Sequence, residues 1–458
     1  MRLKRELQQQ DSLELGGALH GFAAELYPIC RSITGAGIRE TLSRIQERVP
    51  LQIHEVPSGT PVFDWTVPKE WNIRDAYIKD AEGNRIVDFH RSNLHVLNYS
   101  MPVHTKMRLD ELKPHLFTLP EHPDWIPYRT SYYTENWGFC LSHRQMSEMK
   151  DEQYEVCIDS SLTHGSLSYG ECYFRGQSED EVLISCHACH PSLANDNLSA
   201  LTVASFLVSL LQNKDLRYSY RFLFTPGTIG AITWLALNRQ KTNRIRHGLV
   251  LSGIGDAGVF HYKKSRRGSE IDEIVAHVLH ERNASAEILE FSPYGYDERQ
   301  YCSPGFNLPV GCLMRSVWGT FPEYHTSADN LDFILPEKLA ESLNVCAEVV
   351  DVLENNRRYR NLNPYCEPQL GKRNLYRSTG GESIEQEISA RLWVLNLSDG
   401  DNSLLDIAKR SGLPFSTISA AADSLVKGGL LDAVPDHHEA QDANPLQESG
   451  HVNFTFSQ

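Results

Sequence analysis

Residues 185–200 read SCHACHPSLANDNLSA, placing Cys186, His187, Cys189, His190 and Asp196 within one short stretch. Imidazole and carboxylate donors at this spacing suit Zn²⁺, and thiolates attract it as well. Cys186 and Cys189 form a C-x-x-C, but a four-cysteine site needs a second such pair, which the chain lacks. A single histidine after a strand is more often a hydrogen-bonded structural residue. Two of them with an aspartate, and a further histidine downstream at His325, turn that balance toward a metal site.

Chemistry at one loop needs elements to hold it. EVLISC, before the loop, is a short apolar run of strand length, and NLSALTVASFLVSLLQN, after it, has helical length and periodicity. The order strand, donor-rich loop, helix puts the donors at the carboxyl edge of a sheet, where ligands bind in α/β folds. From about residue 151 the pattern repeats. YEVCIDSSL, YRFLFT and HGLVLSGIG read as strands, while GAITWLALNRQ, EIDEIVAHVLHERN and PEKLAESLNVCAEVVDVLENN read as helices. Alternation of this kind predicts a mainly parallel sheet covered on both faces.

Earlier, residues 19–49 read as two amphipathic helices broken at TGAG. Residues 61–150 are rich in Trp, Tyr and Pro, and their alternation around AEGN suggests a β-hairpin within a small inserted β-rich module. After a polar linker near 367–382, residues 383–435 carry three short helices with a turn at RSGLP, the pattern of a winged helix-turn-helix. Residues 436–458 are polar and aperiodic, and are expected to be a disordered tail.

Bulk properties bound the function. The net charge of −15 and pI near 5.7 disfavour non-specific attraction to nucleic acid or anionic membrane. No apolar run approaches the roughly 20 residues of a spanning helix, and the charged N-terminus lacks a secretory signal, so a cytoplasmic protein with no membrane partner is expected. Ten cysteines in 458 residues do not make a disulfide scaffold and should be buried thiols. The candidate winged helix carries eight acidic against four basic residues between Glu382 and Asp432, a net of −4. That sign opposes phosphate binding. No nucleic acid is expected there, and the module should pack on the core or join copies in a homo-oligomer, as a dimer would.

ANDNLSA is similar to the N-D-N-x-S-G loop of the co-catalytic zinc aminopeptidases, which include bacterial leucyl aminopeptidases and glutamate carboxypeptidase II. The resemblance implies that Asp196 bridges metal ions and that the Asp196–Asn197 peptide is cis. It places the first histidine ligand at His187 or His190, His187 fitting the strand end and His190 standing in CHPS. GLVLSGIGDAG ends at Asp256, which takes the place of a terminal aspartate ligand. PEYHTSADNLDFI resembles the late H-T-x-x-D loop, making His325 the last ligand and Asp329 its supporting partner. YDERQY (296–301) parallels the segment that lines the substrate pocket. Longer stretches, among them CRSITGAG, FDWTVPKEW, IPYRTSYYTENWGFC and GFNLPVG, resemble a bacterial aminopeptidase-like family with the same inserted module and a C-terminal winged helix. Its members are linked to polysaccharide or specialised-metabolite pathways.

The implied fold class is α/β, a zinc-aminopeptidase-like three-layer α/β/α architecture. The aminopeptidase-like domain takes 14–60 and 151–366, the insert 61–150, and the winged helix-turn-helix 383–435.

The resemblance breaks at YRFLFTPGTIGAITWL. The aminopeptidases end the matching strand in Glu-Glu, a general base followed by a metal ligand, and the close relatives keep one Glu, as P-E-T-I-G. This chain has Gly227 and Thr228 there. Loss of a positioned base typically costs about 10²–10⁴-fold in rate. That leaves Asp196 with His325 on one side and His187 or His190 with Asp256 on the other, so one zinc with three protein ligands and an open position is expected rather than two. Glu323 and Glu298 are the carboxylates that could serve as a substitute base. Two readings follow: a zinc-dependent hydrolase of an amide or peptide bond in a small substrate, or a catalytically inactive homologue (a pseudoenzyme) acting as a binding or regulatory partner.

Overall fold

The computed structural model describes residues 3–8, 11–282, 285–375 and 382–435; the expected tail at 436–458 lies outside them. The chain divides into two units, 1–354 and 355–458.

The first unit is built on an eight-stranded sheet. Its strands are β1 (Gln52–Pro57), β2 (Ser166–Phe174), β3 (Glu181–His187), β4 (Ser219–Thr225), β5 (Ile245–Leu251), β6 (His261–Lys263), β7 (Glu287–Leu289) and β8 (Val310–Met314). They lie in the order β1-β2-β4-β3-β5-β8-β6-β7. β4, β3, β5 and β8 run parallel at its centre, and β1 and β2 add an antiparallel edge. β3 and β4 are buried at every position, which is why they read as unbroken apolar runs rather than alternating ones.

Helices α1 (Ser12–Leu26), α2 (Ala36–Gln46), α3 (Ser199–Leu211), α4 (Ile229–Leu237), α5 (Glu270–Arg282) and α6 (Pro336–Asn355) complete the frame. α3 links β3 to β4 on one side, and α4 then links β4 to β5 on the other side of β3. Right-handed crossovers in opposite directions place α3 and α4 on opposite faces, giving three layers. The carboxyl ends of β3, β4 and β5 therefore meet at a switch point, the preferred ligand position of such a sheet. α3 and the turn before it, Ala194–Leu211, have the length and apolarity of a membrane span, but 83% of that window is buried within the fold. It is a core helix. The break between α1 and α2 falls at Gly35, whose φ of +100° suits glycine and whose Cβ would lie 1.9 Å from the Trp71 carbonyl oxygen.

The insert is an antiparallel four-stranded sheet of Arg85–Asp88, Glu70–Lys79, Gln153–Thr163 and Val103–Arg108, in that order. The hairpin expected around AEGN is present. YEVCIDSSL differs from its expected place: it pairs with Glu70–Lys79 inside the insert, so this sheet closes at Thr163 and not at 150. Its alternating burial, with one face packed and one open, marks it as an insert strand in a way the fully buried β3 is not.

The second unit has β9 (Arg358–Asn361), β10 (Asp399–Ser403) and β11 (Leu431–Ala433) around α7 (Glu382–Leu397), α8 (Leu404–Ser411) and α9 (Phe415–Lys427). β9 pairs with both β10 and β11, so the winged helix begins near residue 355 rather than at 383. Its first strand is only 4 residues long and lies ahead of the polar linker, which conceals it in the sequence.

Candidate metal centre

His187 is the last residue of β3 and is wholly buried. Its Nε2 lies 2.7 Å from Asp196 Oδ1, across the loop that leads into α3. The other carboxylate oxygen of Asp196, Oδ2, lies 3.0 Å from His325 Nε2. His190 packs against both histidines, with ring centroids 5.1 Å from His187 and 5.2 Å from His325. Donor atoms of His187, His190 and Asp196 all fall within 4.8 Å of one another. Both histidines that the sequence offered as alternatives thus reach the same point.

The loop that carries Asp196 is held from several directions. Asp329, fully buried, accepts the backbone N–H groups of Asn195 and Asp196 at 2.6 and 3.0 Å. Asn197 Nδ2 donates to the carbonyls of His187 and Leu251, and its Oδ1 accepts from Gly253 N at 3.0 Å. Arg31 Nε donates to the His190 carbonyl at 2.8 Å. The Asp196–Asn197 peptide is cis, as is Gly227–Thr228. His325 adopts a left-handed φ of +56°, a conformation that L residues leave unless surroundings impose it. Here Tyr128 N donates to the His325 carbonyl at 2.7 Å, tying it down.

Tyrosines wall the cluster. The Tyr296 ring stacks on His187 at 4.1 Å, and its hydroxyl donates to Asp196 Oδ2 at 2.9 Å. Tyr324 stacks on His325 at 3.9 Å, and Tyr128 meets His190 and His325 edge-on, each at 5.1 Å. Burial works against ionisation of Asp196, yet the facing His190 and His187 and the hydrogen bonds from His187 and His325 hold its carboxyl well below the usual range. Burial pushes the His190 imidazole down to about 3, keeping it neutral, the form that ligates metals. His187, His190 and Asp196 are a donor set that fits Zn²⁺ with a position left open, and His325 stands beside it at Asp196 Oδ2.

Three expected residues stand elsewhere. Asp256 does not join the cluster: it accepts from Asn195 Nδ2 at 2.7 Å, Gly258 N at 2.6 Å and Ser316 Oγ at 2.8 Å. It lies four residues beyond Ser252, the first residue past β5, so its carboxylate braces the loop through Asn195. Glu298 is fully buried in an ion pair with Lys263 Nζ at 2.5 Å, which makes it structural rather than a free base. Glu323 is half-buried in the turn before His325, where its carbonyl accepts from Thr326 N at 3.1 Å, and it is not grouped with the donors. Cys186 and Cys189 are buried thiols whose ionisation burial opposes, pushing Cys189 up to about 12.

Two residues of YDERQY that residue type alone does not single out, Tyr296 and Asp297, stand at the cluster. Asp297 is fully buried, with Oδ2 accepting from Thr225 Oγ1 at 3.3 Å, and burial pushes its carboxyl up to about 7. A tyrosine beside an acid in a loop gives no spacing signal. The resemblance puts YDERQY at the substrate pocket, and the fold brings these two residues to the donors.

Known proteins share this frame. Residues 20–356 match a family model described as a domain of unknown function (DUF4910), and residues 357–433 match a winged helix-turn-helix model. A Clostridium acetobutylicum protein, provisionally described as a polysaccharide biosynthesis protein with an aminopeptidase-like domain, is 54% identical over 427 residues, covering 93% of this chain and 98% of that one. A crystal structure of a provisionally assigned peptidase from the same organism superposes with a TM-score of 0.89 at 52% identity, over 94% of this chain and 100% of that one. The zinc aminopeptidase BSAP from Bacillus subtilis gives 0.55 at 11% identity, over 74% and 94% of the two chains. At that identity it shows the fold alone, and the fold is aminopeptidase-like.

Proposed function

We infer function from one premise: this chain belongs to the DUF4910 family, here followed by a winged helix. The reading best supported is a zinc-dependent hydrolase of an amide or peptide bond. The observation that carries it is the convergence of His187, His190 and His325 around the Asp196 carboxylate at the switch point of the sheet. When bound there, zinc would supply a Lewis acid that polarises the scissile carbonyl. The chain's own residues hold and wall the site. Asp196 and the histidines hold the ion, Asp329 and Asn197 fix the loop, and Tyr296 orients the Asp196 carboxylate through its hydroxyl. Tyr128 and Tyr324 keep water from two sides of the His325 ring.

The Clostridium relative's description supports a place in polysaccharide synthesis, where an N-acylated amino sugar or a short peptide would present the amide. The winged helix, whose last helix α9 sets Asp423 against its one cation, Lys427, is read as a contact between copies rather than a reader of nucleic acid. One observation favours the inactive reading: residues 226–228, beside His187, carry no carboxylate. The test is hydrolysis of amino-acid amides and N-acetylated amino sugars by protein loaded with one zinc. Turnover that chelator abolishes and zinc restores supports the hydrolase; none with either class supports the inactive homologue.

A further inference from the structure

Gly227 opens the turn after β4, directly beside His187. A Cβ placed there would lie 3.0 Å from His187 Cβ and 3.7 Å from Asp297 Oδ1. The space above Gly227 is therefore faced by a carboxylate that arrives from another part of the chain. Asp297 is fully buried, and while its Oδ2 accepts from Thr225, its Oδ1 has no hydrogen-bond partner among the described residues. A buried, unsatisfied carboxylate oxygen is costly and calls for a reason. No chain neighbour bonds it: Glu298 pairs with Lys263, Tyr296 reaches Asp196, and Arg299 acts on Asp297 through its charge without a hydrogen bond to Oδ1.

Charge supplies the reason. Imidazole donors with one carboxylate leave a bound Zn²⁺ with a net charge of +1 in a buried site, which a further anion would offset. We propose that Asp297 is the second carboxylate of this centre, reaching it through the space that Gly227 leaves open. The inference rests on the metal reading above. Gly227 is then a requirement of the arrangement, since a side chain there would crowd both His187 and Asp297 Oδ1. Asp297 compensates the cation and orients what binds beside His187; it is a positioning residue.

The test is a cycle of wild type, Asp297→Asn, Gly227→Glu and the double variant, read by titrating each metal-free protein with zinc alone and by thermal unfolding. Asp297→Asn, nearly isosteric, should keep the fold and weaken zinc by about 10–100-fold, as loss of a supporting carboxylate does. Gly227→Glu should help zinc binding far more in the Asp297→Asn background than in wild type, where two carboxylates would face each other. Crowding at His187 is common to both backgrounds and cancels in the cycle. Zinc affinity within about threefold of wild type in Asp297→Asn, short of the usual effect of a supporting carboxylate, overturns the assignment. An equal effect of Gly227→Glu in both backgrounds overturns it too. A wild-type chain that takes no zinc overturns it together with the metal reading. A chain that takes zinc as described but hydrolyses nothing overturns the hydrolase reading alone.

Discussion

Two adjoining segments at the same sheet edge differ sharply in what they carry. The loop after β3 holds His187, His190 and Asp196, its carboxylate and backbone tied by hydrogen bonds from several sides. The turn after β4, Pro226-Gly227-Thr228, offers no carboxylate and leaves Asp297 Oδ1 facing it without a partner among the described residues. One strand end supplies most of a donor set while its neighbour supplies only room. The difference locates function in side chains converging from several segments rather than in any one motif.

The largest expected effect comes from stripping the rich segment. Asp196→Asn removes the carboxylate between His187 and His325, and zinc affinity should fall by well over the ~10–100-fold typical of residues that only orient ligands. Calorimetric titration with zinc reads it. Glu298→Gln, next to the poor segment, should act on stability instead: it strands Lys263 in the interior, at a cost of about 3–5 kcal/mol by denaturant unfolding, and leaves zinc stoichiometry unchanged. Asp329→Asn leaves one acceptor oxygen for two loop N–H groups, with about 1–3 kcal/mol of stability and about tenfold in zinc affinity lost together. Tyr296→Phe keeps the stacking on His187 and removes one donor to Asp196. Its loss of zinc affinity should be the smallest of these, below about tenfold.

His190 in the first segment and Asp297, which faces the second, titrate with opposite sign in the metal-free protein. His190, held near 3 when folded against about 6.5 unfolded, adds stability that is complete above pH 6.5 and is lost as pH falls toward 3. Asp297, raised to about 7, favours the folded state when protonated, so its contribution declines as pH rises from about 4 to 7. Asp297→Asn should therefore unfold no earlier than wild type at about pH 7.5 without metal, while binding zinc more weakly. A fall in metal-free midpoint equal to the loss in zinc binding would assign Asp297 a structural role only.

Much of this is legible in order along the chain. The unbroken apolar runs of β3 and β4, the helix periods after them and the donor-rich loop spell out the α/β frame, and with the late His325 they supply all four donors. Asp256 misleads because it follows a strand end, where a ligand is expected, while its side chain turns to Asn195. Gln153–Thr163 has a composition that suits the central sheet, yet it pairs inside the insert, because a strand's composition does not name its partner. Tyr296 and Asp297 lie in YDERQY, which the resemblance places at the substrate pocket, but no spacing ties them to the donors: a loop 100 residues from Asp196 meets it through the fold.

The most direct measurement is zinc per chain, by elemental analysis of protein purified without chelator, beside Asp196→Asn prepared identically. About one zinc in wild type and little in the variant is the expected result. No zinc in wild type, even after zinc is offered, would contradict the metal centre.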